Sequence, residues 1–285
     1  MISRRSLLLS LSALACCPAR AAGQTIETIL AIDGRGRPTA PWIEAIRHRV
    51  RAEDLAAIAA TARPPAGEEW LWAGIMRDSV QTLQKDLARL NAPFRKVTPP
   101  PVVRVLLGNQ GGEDAFAVAP DVIAFDLSAF TRYGAARKVA PRLLAQEYTH
   151  LLVVPYLEST GWSEASLENQ PYLLALRILY YEGLGNLRSI EGDARYIAAD
   201  GQLTAEARDL LAKLQPILRE RMAALKANPP PDQAKLLLRD ISQGLPTDKW
   251  GALPIALKLA VDTRFQPDKL AVWVEKGPEG MVELI

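Results

Sequence analysis

The chain is 285 residues long, 49% hydrophobic and 23% charged, with a net charge of +2. That is the balance of an ordinary globular protein with apolar mass for one sizeable core. No basic patch interleaved with aromatics stands out, which argues against nucleic acid as a partner.

Residues 1–22 read as an export signal rather than as part of the fold. Ser3-Arg4-Arg5-Ser6-Leu7-Leu8 is a basic start, Leu7 to Cys17 is an apolar run, and Ala19-Arg20-Ala21 is a small-x-small cleavage site. The run is too short to span a bilayer well, so no integral membrane segment is expected after cleavage. The paired arginines favour the twin-arginine route, with the general secretory route as the alternative. The expected location is periplasmic or extracellular. Both cysteines, Cys16 and Cys17, fall in this segment. A lipoprotein reading around them is weak, because neither has both the usual Leu three residues before it and Gly or Ala directly before it. Cleavage after Ala21 leaves a mature chain, with its domain at residues 23–285, that has no disulfide and no thiolate metal site. It is read as a single domain.

After Pro38 to Pro41, the spacing of Trp42, Ile43, Ile46, Val50, Leu55 and Ile58 predicts a helix, broken at Arg63-Pro64-Pro65-Ala66-Gly67. A second helix is predicted from about Glu68 to Leu90, ended by Pro93. Beyond Pro99-Pro100-Pro101 the period changes. Val102 to Leu107 is a β-rich run closed by Gly108, Gly111-Gly112 is a turn, and Ala115 to Phe125 reads as extended structure. A helix is then predicted from about Gly134 to Val154. Pro141 kinks it unless it marks the true first turn, and Pro155 ends it. Glu164 to Asn169 is a short helix or loop, and Pro171 opens a helix over Tyr172 to Leu187. Thr204 to Lys226, Gln233 to Ile241 and Gly251 to Asp262 are helical in pattern. The predicted class is α+β, mostly helical, with a small sheet before the central helix.

That helix carries Gln146-Glu147-Tyr148-Thr149-His150. A zinc peptidase helix reads His-Glu-x-x-His, because residues four apart share a face and present two imidazoles to one ion. The Glu after the first ligand then lies beside the open coordination position, where it moves a proton between metal-bound water and the leaving amine. Here Glu147 and His150 are in place, and Gln146 stands where the first His belongs. The best candidate for a third ligand is Glu182, 32 residues after His150, in Tyr180-Tyr181-Glu182-Gly183-Leu184-Gly185-Asn186. Asn186, one turn on, is placed to hydrogen-bond His150 and fix its tautomer.

The pattern Glu-Tyr-x-His followed by Glu-Gly-Leu-x-x resembles the thermolysin-like gluzincin metallopeptidases, and most closely the bacterial predicted zinc-dependent proteases with His-Glu-Tyr-x-His and Glu-Gly-Leu-Ala-Asp. The likeness covers roughly Val102 to Asn186. It implies a zincin-like fold, with Glu147 as general base, His150 and Glu182 as zinc ligands and Asn186 at the position of an Asp behind them. It also implies that Ala115 to Phe125 is the edge strand along which a peptide lies.

Two departures weaken the metal site that the likeness implies. Gln146 offers a neutral oxygen, a poor match for Zn²⁺ beside imidazole, and Asn186 removes the charge that would raise the basicity of His150. His48, flanked by Arg47 and Arg49, is the only other histidine and reads as solvated. The expectation is an exported metallopeptidase-family protein with weak or no zinc and little or no peptidase activity, a pseudoenzyme that binds a peptide or protein. The alternatives are an active zinc peptidase and a non-enzymatic helical periplasmic binding protein. Taken bare, Glu147 and His150 are also compatible with an intrahelical polar pair. Tyr148, Tyr156, Tyr180, Tyr181 and Tyr196 read as core aromatics, any one of which could donate to an oxyanion. No nucleophile elbow, phosphate loop or dinucleotide fingerprint is present.

Overall fold

Two short stretches rich in β-branched residues lie side by side. Strand β1 (Thr25–Leu30) pairs in parallel with β2 (Val102–Gly108), Thr25 opposite Val102 and Leu30 opposite Leu107. Strand β4 (Val122–Asp126) continues the parallel set on the other side of β2, and β3 (Ala115–Val118) adds to β4 in the antiparallel sense. The order is β1-β2-β4-β3, so β3 is an edge. The expected extended stretch Ala115 to Phe125 is therefore a hairpin of two strands, turned at Ala119 to Asp121. The structure is a computed structural model describing residues 23–134, 136–242 and 248–285. The signal read at residues 1–22, with Cys16 and Cys17, lies outside the described residues.

Alternation along β2 and β4 sends side chains to opposite faces of the sheet. Val103, Val105, Leu107, Ile123 and Phe125 join the main core, beneath α3 (Gly67–Asn91) and α5 (Val139–Ser159). Leu106, Ala124 and Phe116 face a second cluster built on Trp42 and Ile46 of α1 (Ala40–Ile46). Trp42 covers the end of β2 closely. A Cβ on Gly108 would lie 2.2 Å from the indole, so only glycine fits there. The indole Nε1–H donates to Asn109 O at 2.9 Å, which leaves the buried ring satisfied. Fully burying a large apolar side chain contributes roughly 1.5–3 kcal/mol, and Trp42, Ile46, Phe125 and Leu107 are all fully buried.

The long helix α3 follows its predicted bounds to within a residue, with Trp72, Met76, Val80, Leu83, Leu87 and Leu90 on the buried face. Glu69 fixes its start. Its carboxylate accepts Ala66 N–H at 2.8 Å and the Arg63 guanidinium at 2.6 Å. The first predicted helix divides in two. The chain turns at Arg47 to Arg51 between α1 and α2 (Ala52–Ala60), which buries no residue fully. This turn brings Arg49 over the Phe116 ring, 4.2 Å from its centroid, and into an ion pair with Glu113.

Asp126 orders the chain leading into β3. Its carboxylate accepts the N–H groups of Gly111 at 2.6 Å and Gly112 at 3.1 Å, and that of Ser128 at 2.9 Å at the start of α4 (Leu127–Phe130). Hydrogen bonds to a charged group contribute roughly 1.5–3 kcal/mol each, so this one side chain holds both the glycine turn and the neighbouring helix.

Helix α5 starts at Val139, so Pro141 sits in its first turn, where a missing N–H costs nothing. It does not stop at Pro155 as predicted but runs to Ser159. Tyr156 and Leu157 are buried just beyond the proline, and that packing outweighs the lost backbone bond. Helix α6 (Pro171–Ile190) returns antiparallel against α5: Arg142 pairs with Asp193 near one end, and the rings of Tyr156 and Tyr180 lie 5.9 Å apart near the other. Helices α7 (Ala205–Lys226), α8 (Pro231–Leu238) and α9 (Ala252–Thr263) follow, the last packed on α6. Helix α10 (Pro267–Lys276), which lay outside the predicted elements, completes the set. The chain is thus mostly helical with one small mixed sheet. No described helix is long and apolar enough to cross a membrane.

Candidate functional site

The singled-out residues of α5 and α6 meet where the two helices face each other. Glu147 and His150 are buried on α5, at 4% and 3% exposure. Three residues apart, they share a face, and His150 Nδ1 lies 3.2 Å from Glu147 Oε2. An ionised carboxylate only accepts, which puts a proton on Nδ1. Glu182 comes from α6, with Oε2 3.9 Å from His150 Nε2. The imidazole therefore stands between two carboxylates, one at each nitrogen. Burial alone would lower the His150 pKa, but Glu147 and Glu182 together hold it above its ordinary value. Burial raises the Glu182 pKa, partly offset by His150.

The helix contact around His150 requires small and flat neighbours. Gly185, one turn after Tyr181, abuts the ring edge, and a Cβ there would lie 2.1 Å from Nε2. Tyr181 covers the ring face, with centroids 4.0 Å apart and planes 19° from parallel. Burial pushes the Tyr181 phenol well above its ordinary pKa, and Glu147 and Glu182 push the same way. The other tyrosines are engaged elsewhere. Tyr148 OH donates to Asn91 Oδ1 at 2.6 Å and accepts from Gln24 at 2.9 Å, Tyr180 bonds Val274 O, Tyr156 bonds Glu275 O, and Tyr196 lies beside Arg195.

Two positions differ from the sequence expectation. The Glu147 carboxylate is on the far nitrogen of His150 rather than beside an open coordination position. Asn186 does not reach His150. Its amide donates to Glu182 O at 2.8 Å and to Glu182 Oε2 at 3.4 Å, a bond within its own helix. Gln146 is half-buried at the first ligand position, and His48 is exposed in the turn after α1. Gly185 was missed as part of the site, and Tyr181 was one of five tyrosines among which the sequence did not choose; the only further sequence signal was their spacing of four on the helix that carries Glu182.

Edge strand β3 packs against α5, and Ala115 and Ala117 point toward that side. Among the described residues no strand pairs with its outer edge. The outer edge of β3 is thus open beside α5, although its Ala115 N–H is already held by Asp114 Oδ1 at 3.0 Å. Arg49 and Lys249 lie close enough for their charges to act on His150 and on Glu182 respectively.

The donor set can be weighed against zinc. His150 Nε2 is buried without a hydrogen-bond partner and faces Glu182, as a ligand nitrogen would. Its opposite nitrogen is on a carboxylate, the usual support of a metal-bound imidazole. The first-ligand position of the motif holds an amide, Gln146, whereas catalytic zinc sites use three imidazole, thiolate or carboxylate ligands. Among the described residues no group of three or more His, Cys, Asp or Glu is arranged to hold an ion. As a zinc site the cluster is one strong ligand short. No protein-family model, curated protein or solved structure matches the chain.

Proposed function

We propose that this is an exported protein of gluzincin-like ancestry that binds an extended peptide or protein segment along β3 and carries little or no zinc-dependent peptidase activity. The observation that supports the reading most is the convergence of Glu147, His150 and Glu182 from two helices beside an unpaired edge strand, with Gln146 in place of a ligand. An edge strand binds extended chains through main-chain hydrogen bonds, without needing the chemistry of the cluster. Metal analysis of the mature protein, loaded with Zn²⁺ and then dialysed, tests this. Metal content well below one ion per chain is expected. A stoichiometric zinc that resists dialysis would overturn the reading.

A second reading, an active zinc peptidase, has one observation in its favour: the unpartnered His150 Nε2 directed at Glu182. It requires chelator-sensitive peptide hydrolysis that Glu147→Gln abolishes, and it fails if that substitution leaves hydrolysis unchanged.

A further inference from the structure

We infer that Tyr181 is the positioning residue of this cluster: its ring holds the His150 imidazole in the plane that presents Nδ1 to Glu147 and Nε2 to Glu182. The second torsion of a histidine is broad and roughly two-fold, so nothing in the side chain itself fixes the ring. Here the phenol ring lies flat on it, 4.0 Å between centroids at 19°. Rotating the imidazole out of that plane drives its edge into Tyr181. Gly185 closes the Nε2 side, since the ring edge already occupies the space a Cβ would need. The bond from Nδ1 to Glu147 at 3.2 Å then selects between the two in-plane orientations.

Tyr181 and Gly185 are four apart on α6, so one helix face supplies both constraints and places Glu182 between them in sequence. The ring of Tyr181 is what acts on His150. No hydrogen bond joins the two residues, and a phenylalanine ring would cover the same face. That this fixed geometry serves a bound peptide rests on the function proposed above. The geometry itself is tested with neither peptide nor zinc, so the two claims fail separately.

The chain has two histidines, and His48 is exposed, so it serves as an internal reference. In long-range ¹H–¹⁵N spectra of the mature protein at one near-neutral pH, the His150 ring protons should be displaced upfield of those of His48 by the stacked phenol. The Nδ1 proton shared with Glu147 should give one sharp resonance that exchanges slowly with solvent. Tyr181→Phe should retain both features. Tyr181→Leu should lose the upfield displacement and broaden the Nδ1 proton resonance. Wild-type shifts in the Leu variant, or loss of the pattern in the Phe variant, would overturn the inference. If the Leu variant does not fold, the parent and Phe spectra decide: unshifted His150 ring protons with a fast-exchanging Nδ1 proton in the parent are fatal to it.

Discussion

Gln146→His is expected to raise the affinity for Zn²⁺ by more than the roughly 10–100-fold that changes outside the coordination sphere produce. Position 146 is half-buried, four residues before His150 and on the same face of α5. An imidazole there would supply the missing ligand, while Glu147 already supports His150 from behind and Glu182 already faces Nε2. Metal content after dialysis should approach one zinc per chain, and Glu182→Gln in the same background should reverse the gain. Peptidase activity should not rise in proportion, because the Glu147 carboxylate is engaged by Nδ1 and must leave it to accept a proton from water. A variant that dialyses free of zinc as readily as the parent would show that positions 146, 150 and 182 do not share one coordination sphere.

The largest stability effect is expected from Gly185→Ala. The added methyl would sit 2.1 Å from His150 Nε2, 2.8 Å from Cδ2 and 3.1 Å from Cε1. The imidazole cannot retreat, since Tyr181 lies on its face and Glu147 is bonded to its other side. Overpacking a core costs about 1–3 kcal/mol and occasionally more, and separating His150 from Glu147 adds to it. A total of about 3 kcal/mol would lower Tm by roughly 6–12 °C in a chain of this size. Gly74→Ala is the matched control. It lies inside α3, and nothing comes within 4 Å of the place its new methyl would take, so helix propensity alone should stabilise it by roughly 0.5–1 kcal/mol. Thermal unfolding followed by circular dichroism separates the two. Equal Tm values for the parent and Gly185→Ala would mean that α5 and α6 do not approach as closely as described.

Local patterns were legible in proportion to how far they were decided by neighbours in sequence. The apolar spacing of α3, the β-rich run of β2 and the two helices that carry Glu147, His150 and Glu182 could all be read directly. Strand β1 could not. Its six residues find their partner only at Val102, far along the chain, and no turn announces the pairing. Pro155 misled because a proline's local cost is overridden when the flanking turn is buried. At the site, spacing identified His150 and Glu182, which lie 3.9 Å apart. It could not show that Asn186 would turn back to Glu182, since an amide one turn away on the same helix competes with any partner across the interface. Nor could it single out Tyr181 from five tyrosines, because only the meeting of two helices selects one ring.

The antiparallel pairing of α5 with α6 also bears on the order of assembly. Only residues 160–170 separate the two helices, so closing this hairpin costs little chain entropy, whereas seating β1 on β2 closes a loop that holds α1, α2 and α3. The cluster is therefore expected to form on a hairpin that matures before the sheet beside it is complete. Pulsed hydrogen exchange during refolding should find amides of α5 and α6 protected ahead of those of β1. Simultaneous protection would show instead that the hairpin has no stability apart from the sheet. Early protection of α5 and α6 would make the Glu147, His150 and Glu182 cluster part of an early nucleus, with β1 a later addition.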